Sequence, residues 1–109
     1  MTKFLQVATT IDSEASAQQL ARAVVEARLA ACVQVQGPLH STYRWQGDVE
    51  TATEWLCTMK TSAAKLPALE AKICEFHSYD VPEIVATEIV AGSAAYLAWL
   101  AAELEESEA

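Results

Sequence analysis

The stretch Val49-Glu50-Thr51-Ala52-Thr53-Glu54-Trp55-Leu56-Cys57-Thr58-Met59-Lys60 decides the fold. Nothing in it breaks a strand. Thr51, Thr53, Trp55, Cys57 and Met59 fall on one side of an extended chain, and Ala52, Leu56 and Thr58 on the other. Both sides carry apolar groups, so both need cover. Twelve residues at about 3.3 Å each span roughly 40 Å, whereas the radius of gyration expected for a compact chain of 109 residues corresponds to a sphere about 34 Å across. The strand is therefore expected to project beyond its own domain. An uncovered edge of that length invites aggregation unless another chain pairs with it, so symmetric pairing between subunits is the economical expectation.

Immediately before this stretch, Gln46-Gly47-Asp48 supplies a hairpin turn. The partner strand runs from Cys32-Val33-Gln34-Val35-Gln36 to Trp45, with Tyr43 and Trp45 on one face. Gly37-Pro38 predicts a bulge or break within it, because proline has no N–H for a ladder. At the start of the chain, Phe4 to Thr9 reads as a first strand, closed by Thr10-Ile11-Asp12-Ser13. Asp12 or Ser13 caps a helix expected to run to about Ala30, in which Leu20, Val24, Ala27 and Ala31 recur at helical spacing. Val25 and Leu29 add a second stripe that calls for a sheet as cover.

On the other side, Thr61-Ser62 precedes a second helix marked by Leu66, Leu69, Ile73 and Phe76, with Pro67 in its first turns and its end near His77. A loop from Ser78 to Pro82 leads to a β-branched strand from Glu83 to Val90, closed by Gly92. Ser93 caps a third helix with Leu97, Leu100 and Leu104 inward, and the acidic stretch Glu103 to Glu108 reads as a solvated surface. Strand, helix, strand, strand, helix, strand and a terminal helix make a split βαβ order. The fold class is α+β, ferredoxin-like, with a mainly antiparallel sheet in a single domain covering residues 1–109.

Composition narrows function. Fifteen acidic against seven basic residues give a net charge of −8, which opposes the counterion-releasing contacts that nucleic acid binding needs. No apolar run is long enough to span a bilayer and the N-terminus lacks a signal layout, so neither membrane nor export is expected and the chain reads as cytoplasmic. Cys32, Cys57 and Cys74 are an odd number at wide spacings, which fits free thiols in a reducing compartment. With 52% hydrophobic residues, so small a domain has more apolar surface than it can readily hide, which again points to an oligomer.

Known users of this topology can be tested. Trp55-Leu56-Cys57-Thr58-Met59 lacks the aromatic and basic signature of an RNA-recognition module. Three cysteines 25 and 17 positions apart cannot hold an iron–sulfur cluster. A heavy-metal chaperone would carry C-x-x-C where this chain has Thr9-Thr10-Ile11-Asp12. Small acyl-phosphate hydrolases orient water with Asn, and the chain contains no Asn.

The residues do suggest a family. Ala27-Arg28-Leu29-Ala30-Ala31-Cys32, the block from Tyr43 through Trp45 and Gly47 to Glu50, and Glu54 leading into Lys60-Thr61 carry the resemblance. His77, Tyr79, Pro82-Glu83-Ile84, Gly92, Tyr96 and Trp99 extend it over nearly the whole length. With these residues the chain closely resembles the divalent-cation tolerance protein CutA family. The resemblance implies a tightly packed homotrimer, with the long hairpin strands paired between subunits, and a role in the response to metal ions, copper in particular, without an established catalytic activity. It implies no obligatory cofactor, a divalent metal such as copper being the candidate. Described copper sites in the family use a Cys at the end of strand one plus adjacent histidines. The matching positions here are Ala8 and Phe76-His77, so His77 is the metal residue that carries over.

The chain's own residues offer other sites. Cys74 and His77 are three apart on one helix face with Glu70 a turn earlier, and the structural alternative packs Cys74 inside with His77 at the helix C-terminus. His40 reads as a surface side chain. Resemblance to the family puts Lys60, Tyr79, Pro82 and Glu83 near a shared pocket at the subunit interface. There Lys60 would be a cationic anchor, Tyr79 an aromatic wall with a donor and Glu83 an acceptor for a small polar or anionic ligand. The structural alternative is a Lys60–Glu83 pair knitting the trimer. Trp45, Trp55 and Trp99 read as core or interface anchors. Glu50 and Glu54, about 13 Å apart along a strand, are no hydrolase dyad. Two rival functions stay open: a small-molecule-sensing trimer like the PII signal proteins, and an unrecognised enzyme using Lys60 and Tyr79.

Overall fold

A computed structural model describes residues 2–105. The elements run β1 (Phe4–Ile11), α1 (Glu14–Glu26), β2 (Cys32–Trp45), β3 (Asp48–Ser62), α2 (Leu66–Phe76), β4 (Val85–Glu88) and α3 (Ala94–Glu103), with a single 3-10 turn, Ala63–Lys65, leading into α2. The four strands form one antiparallel sheet in the order β2-β3-β1-β4. This is the ferredoxin-like α+β arrangement expected from the element order.

β3 organises the sheet. Its inner half pairs with β1, from Ile11↔Trp55 to Phe4↔Ser62, and its whole length pairs with β2. The outer half therefore has β2 alone as a neighbour, and the molecule is drawn out to 48 × 25 × 22 Å. On one face of the sheet α1 and α2 bury Val7, Ile11, Leu20, Val24, Cys57, Met59, Leu69 and Ile73. Phe4, on the opposite face by strand alternation, packs with Ala31 and with Leu100, Ala101 and Leu104 from the end of the chain. Ser13 and Ser93 cap α1 and α3 through their side-chain oxygens, as their positions suggested.

The register of β2 against β3 shifts between Gln36 and Leu39, at the expected Gly37-Pro38 irregularity, where the peptide bond is cis. A Cβ on Gly37 would lie 2.5 Å from the Trp55 ring, so the close approach of backbone to indole requires glycine there. At the hairpin tip Gln46 and Gly47 have φ of 49° and 89°. Two consecutive positive φ values match the two-residue turn whose twist suits antiparallel strands.

Four expectations change. α1 ends at Glu26 instead of Ala30, because Arg28 turns left-handed (φ 58°) and the N–H of Leu29 bonds back to Val24 O at 2.9 Å. The Arg28 guanidinium then reaches Glu103 and Glu105 and donates to the Glu103 carbonyl at 2.8 Å, tying α1 to the C-terminus of α3. β4 is shorter than Glu83 to Val90, since it pairs with β1 only from Leu5 to Ala8. Ile84 packs against the main core before it and Ile89 against the α3 cluster after it. β1 instead continues through Thr10 and Ile11, held by Leu56 and Trp55 of β3. Cys74 is exposed, since Leu69 and Ile73 occupy the inward positions of α2. Of the acidic stretch, residues 106–108 lie outside the described residues.

Candidate functional site

Where the projecting hairpin leaves the body of the domain, a cleft of about 680 Å³ opens between β2 and the segment joining α2 to β4. Ser41, Thr42, Tyr43 and Trp45 of β2 form one wall, Thr10 and Glu54 the inner end, and Ser78 to Val81 with Glu83 the other wall.

His77 builds the second wall. It is the residue that ends α2, and its imidazole Nε2 lies 2.6 Å from the Thr10 carbonyl while the backbone N–H of Tyr79 reaches its Nδ1 at 3.3 Å. A carbonyl only accepts and an N–H only donates, which assigns the neutral tautomer with the proton on Nε2. The ring also packs on Tyr79, with centroids 4.6 Å apart, and Ser78 Oγ donates to Asp12 at 3.1 Å. These contacts fasten the start of the loop to the end of β1.

Tyr79 is thereby aimed inward, where its hydroxyl donates to Glu54 Oε2 at 2.9 Å. Glu54 is only 5% exposed. Among the described residues this phenol is its only hydrogen-bond donor, and Glu54 takes part in no ion pair. Burial, then the hydrogen bond and charge of Glu54, push the Tyr79 phenol above the ordinary tyrosine range, with Asp12 and Tyr43 adding to the effect. Tyr79 thus remains a donor throughout the physiological range.

Of the residues expected in a shared pocket, Tyr79 and Glu83 are brought together in this cleft and Lys60 is not. Lys60 pairs with Gln6 and Cys32 in the sheet, and its ammonium donates to Gln34 at 3.4 Å. Six residues of strand, about 20 Å, separate it from Glu54. No cationic side chain lines the cleft, which carries Glu54, Asp80 and Glu83 instead. The Lys60 anchor for an anionic ligand and the Lys60–Glu83 pair are both absent among the described residues.

His77 has both ring nitrogens engaged, and His40 is exposed. Among the described residues no three His, Cys, Asp or Glu side chains come together as metal ligands. Trp55 packs against the core, while Trp45 and Trp99 remain about two-fifths exposed. The Cys57 thiol is pushed up to about 11 by burial and is chemically quiet.

Sequence reasoning missed Glu54 as the residue at the inner end of the cleft, and Tyr43 with Trp45 as its wall. The available signal was the company Glu54 keeps. It shares a strand face with Ala52 and Leu56, where a lone acid has to find a partner or a ligand.

Comparison with known proteins agrees with this architecture. Residues 5–103 match the model of a family described as CutA1 divalent ion tolerance protein. A divalent-cation tolerance protein CutA from Thermus thermophilus is 46% identical over 86% of this chain and 91% of its own length. A chloroplastic CutA 1 from rice is 37% identical over 93% of this chain, which spans only 57% of that longer protein. Among solved structures, CutA from Xylella fastidiosa superimposes with a TM-score of 0.90 at 36% identity, covering 93% of this chain and 97% of that one. CutA from Synechococcus elongatus, solved as a complex with a Bis-Tris molecule, does so at 0.86 and 38% identity, covering 94% and 95%. A match running from β1 to the end of α3, in sequence and in backbone, places the chain in the CutA1 divalent ion tolerance family.

Proposed function

We propose that this chain acts in the response to divalent cations as a binding protein without a catalytic step, a homotrimer whose subunits each present the cleft beside Tyr79 to a small ligand. The observation that carries the ligand part is the buried Glu54–Tyr79 pair at the inner end of a cleft with exposed aromatic walls. A volume of about 680 Å³ is that of a small-molecule site. The Synechococcus elongatus relative, described as complexed with Bis-Tris, supports the idea that members of the family accept small organic molecules.

Trimer formation is supported by the hairpin. Tyr43, Trp45 and Val49 are 44%, 42% and 63% exposed on strands that have no further neighbour in their own chain. Copper at His77 is the weaker part of the family's description for this chain, because an imidazole holding Thr10 and Tyr79 must release one of them to coordinate. A PII-like sensor of phosphorylated ligands is disfavoured by the carboxylates lining the cleft.

Light scattering at micromolar concentration should return three times the 11.8 kDa chain mass, and a mass of one chain would overturn the assembly. In a thermal-shift screen of small metabolites, a cleft ligand should raise the midpoint of the wild type and not that of Trp45→Ala. A screen without such a compound removes the ligand role. Calorimetry with Cu²⁺ on wild type and His77→Ala tests the metal reading directly, and equal affinities would exclude His77 as a ligand.

A further inference from the structure

The geometry points to a small organic ammonium ion, a tertiary or quaternary amine bearing hydroxyl groups, as the ligand of the cleft. This rests on the cleft being a ligand site and goes further by naming the chemistry it selects.

Charge comes first. The side chains lining the cleft include three carboxylates, Glu54, Asp80 and Glu83, and no Lys, Arg or His. Arg44 lies between Tyr43 and Trp45 and so falls on the other side of β2 by strand alternation, where its guanidinium donates to the Gly47 carbonyl at 3.4 Å. Glu54 is the decisive member. A carboxylate has about four acceptor positions, and this one, 5% exposed, receives a single hydrogen bond from the described residues. A buried charge so lightly compensated favours a cation brought in from outside.

The kind of cation follows from how the carboxylates are spread. Mg²⁺ takes about six oxygen ligands and Ca²⁺ about six to eight, yet no three acidic, His or Cys side chains of the described residues are grouped closely enough to serve. What surrounds the single buried acid is aromatic. Tyr43, Trp45 and Tyr79 line the same cleft, and the first two leave two-fifths of their surface open. Ring faces attract a cation whose charge is spread over alkyl groups, which a strongly hydrated metal ion cannot exploit without losing its water. Ser41 and Thr42 supply hydroxyls beside those rings for polar substituents on the ligand. A space of about 680 Å³ is also far larger than one ion fills, and suits a molecule of several heavy atoms.

Choline, tetramethylammonium and triethanolamine, titrated calorimetrically into the intact protein, test this against 3,3-dimethyl-1-butanol, the uncharged counterpart of choline in shape. At least one ammonium compound should bind about tenfold more tightly than the alcohol. Glu54→Gln should weaken it about tenfold while leaving the alcohol unchanged. Glu83→Gln and Trp45→Ala, both at exposed positions, should weaken it severalfold and keep the test valid should Glu54→Gln fold poorly. Equal affinity for choline and the alcohol, or ammonium affinity unaltered in all three variants, overturns the charge selection. Tighter, Glu54-dependent binding of Mg²⁺ or Cu²⁺ in place of the amines overturns it in favour of a metal. If the alcohol binds and Trp45→Ala abolishes this, the cleft stands as a ligand site although the ammonium inference fails. If neither the amines nor any screened metabolite binds, both fail together.

Discussion

From Cys57 to Ser62, β3 lies between β1 and β2, with Cys57, Met59 and Thr61 fully buried. From Asp48 to Thr51 the same strand is exposed throughout and has β2 as its only neighbour. One alternating pattern thus serves two purposes. The inner half is held by its own chain, through a core to which α1 and α2 both contribute. The outer half has only cross-strand pairs, each contributing about 0.2–1 kcal/mol, so its apolar groups are surface offered to something else. The cleft sits at the junction, with Glu54 just inside the boundary and Tyr43 and Trp45 just outside it.

The largest test of this contrast is a pair of truncations. Met59→Ala should cost about 2–5 kcal/mol in urea unfolding, because it empties a site sealed by packed neighbours. Val49→Ala should cost under about 0.5 kcal/mol at a dilution where the chain is single. In the assembled protein its cost should grow with protein concentration. Equal costs at high dilution would show that the outer half is not independent of partners in the way described.

At the boundary, Tyr79→Phe removes the hydroxyl that serves the buried Glu54 and should destabilise by about 1.5–3 kcal/mol at neutral pH, as for other hydrogen bonds to charged groups. The pH dependence adds a second readout. Because Tyr79 is pushed above its ordinary value of about 10, the folded chain keeps a proton that the unfolded chain releases above that pH. The contribution is complete below about pH 10 and is lost as pH rises towards the folded value. Tyr79→Phe should therefore flatten part of the alkaline fall in stability, and an unchanged alkaline limb would contradict the Tyr79–Glu54 contact.

The inner half, the bulge and the three helices were legible in the sequence because each depends on local periodicity or a local breaker. Leu69 and Ile73 face inward as helical spacing requires, and Gly37-Pro38 disturbs the ladder as proline must. What escaped depends on partners distant in the chain. Ala27 and Ala31 continue a helical period, yet Arg28 leaves the helix because Glu103 and Glu105 lie within its reach 75 or more residues later. β4 is shortened by the four residues of β1 that it can pair with. The site was half visible: Tyr79 and Glu83 were placed in it, but the positions of Lys60 and Glu54 follow from register, which the alternation alone does not measure.

The glycines of the two halves sharpen the comparison at smaller energies. At Gly37 an added Cβ would press on Trp55 at 2.5 Å, so Gly37→Ala must displace a ring packed against the core and should cost about 1–3 kcal/mol. At Gly47 the φ of 89° disfavours any side chain, but no atom lies within 4 Å of where a Cβ would stand. Gly47→Ala should therefore cost only the backbone strain, about 1 kcal/mol. Hydrogen exchange separates the two. Gly47→Ala should speed exchange around the tip, residues 42–51, and leave Cys57 to Ser62 protected, whereas Gly37→Ala should loosen the amides on both sides of the bulge. If the tip glycine instead destabilised the inner half, the hairpin would be one cooperative unit from Trp45 to the core. The cleft beside Trp45 would then share the stability of the core, and ligand binding there would protect Cys57 to Ser62 as strongly as it protects the hairpin.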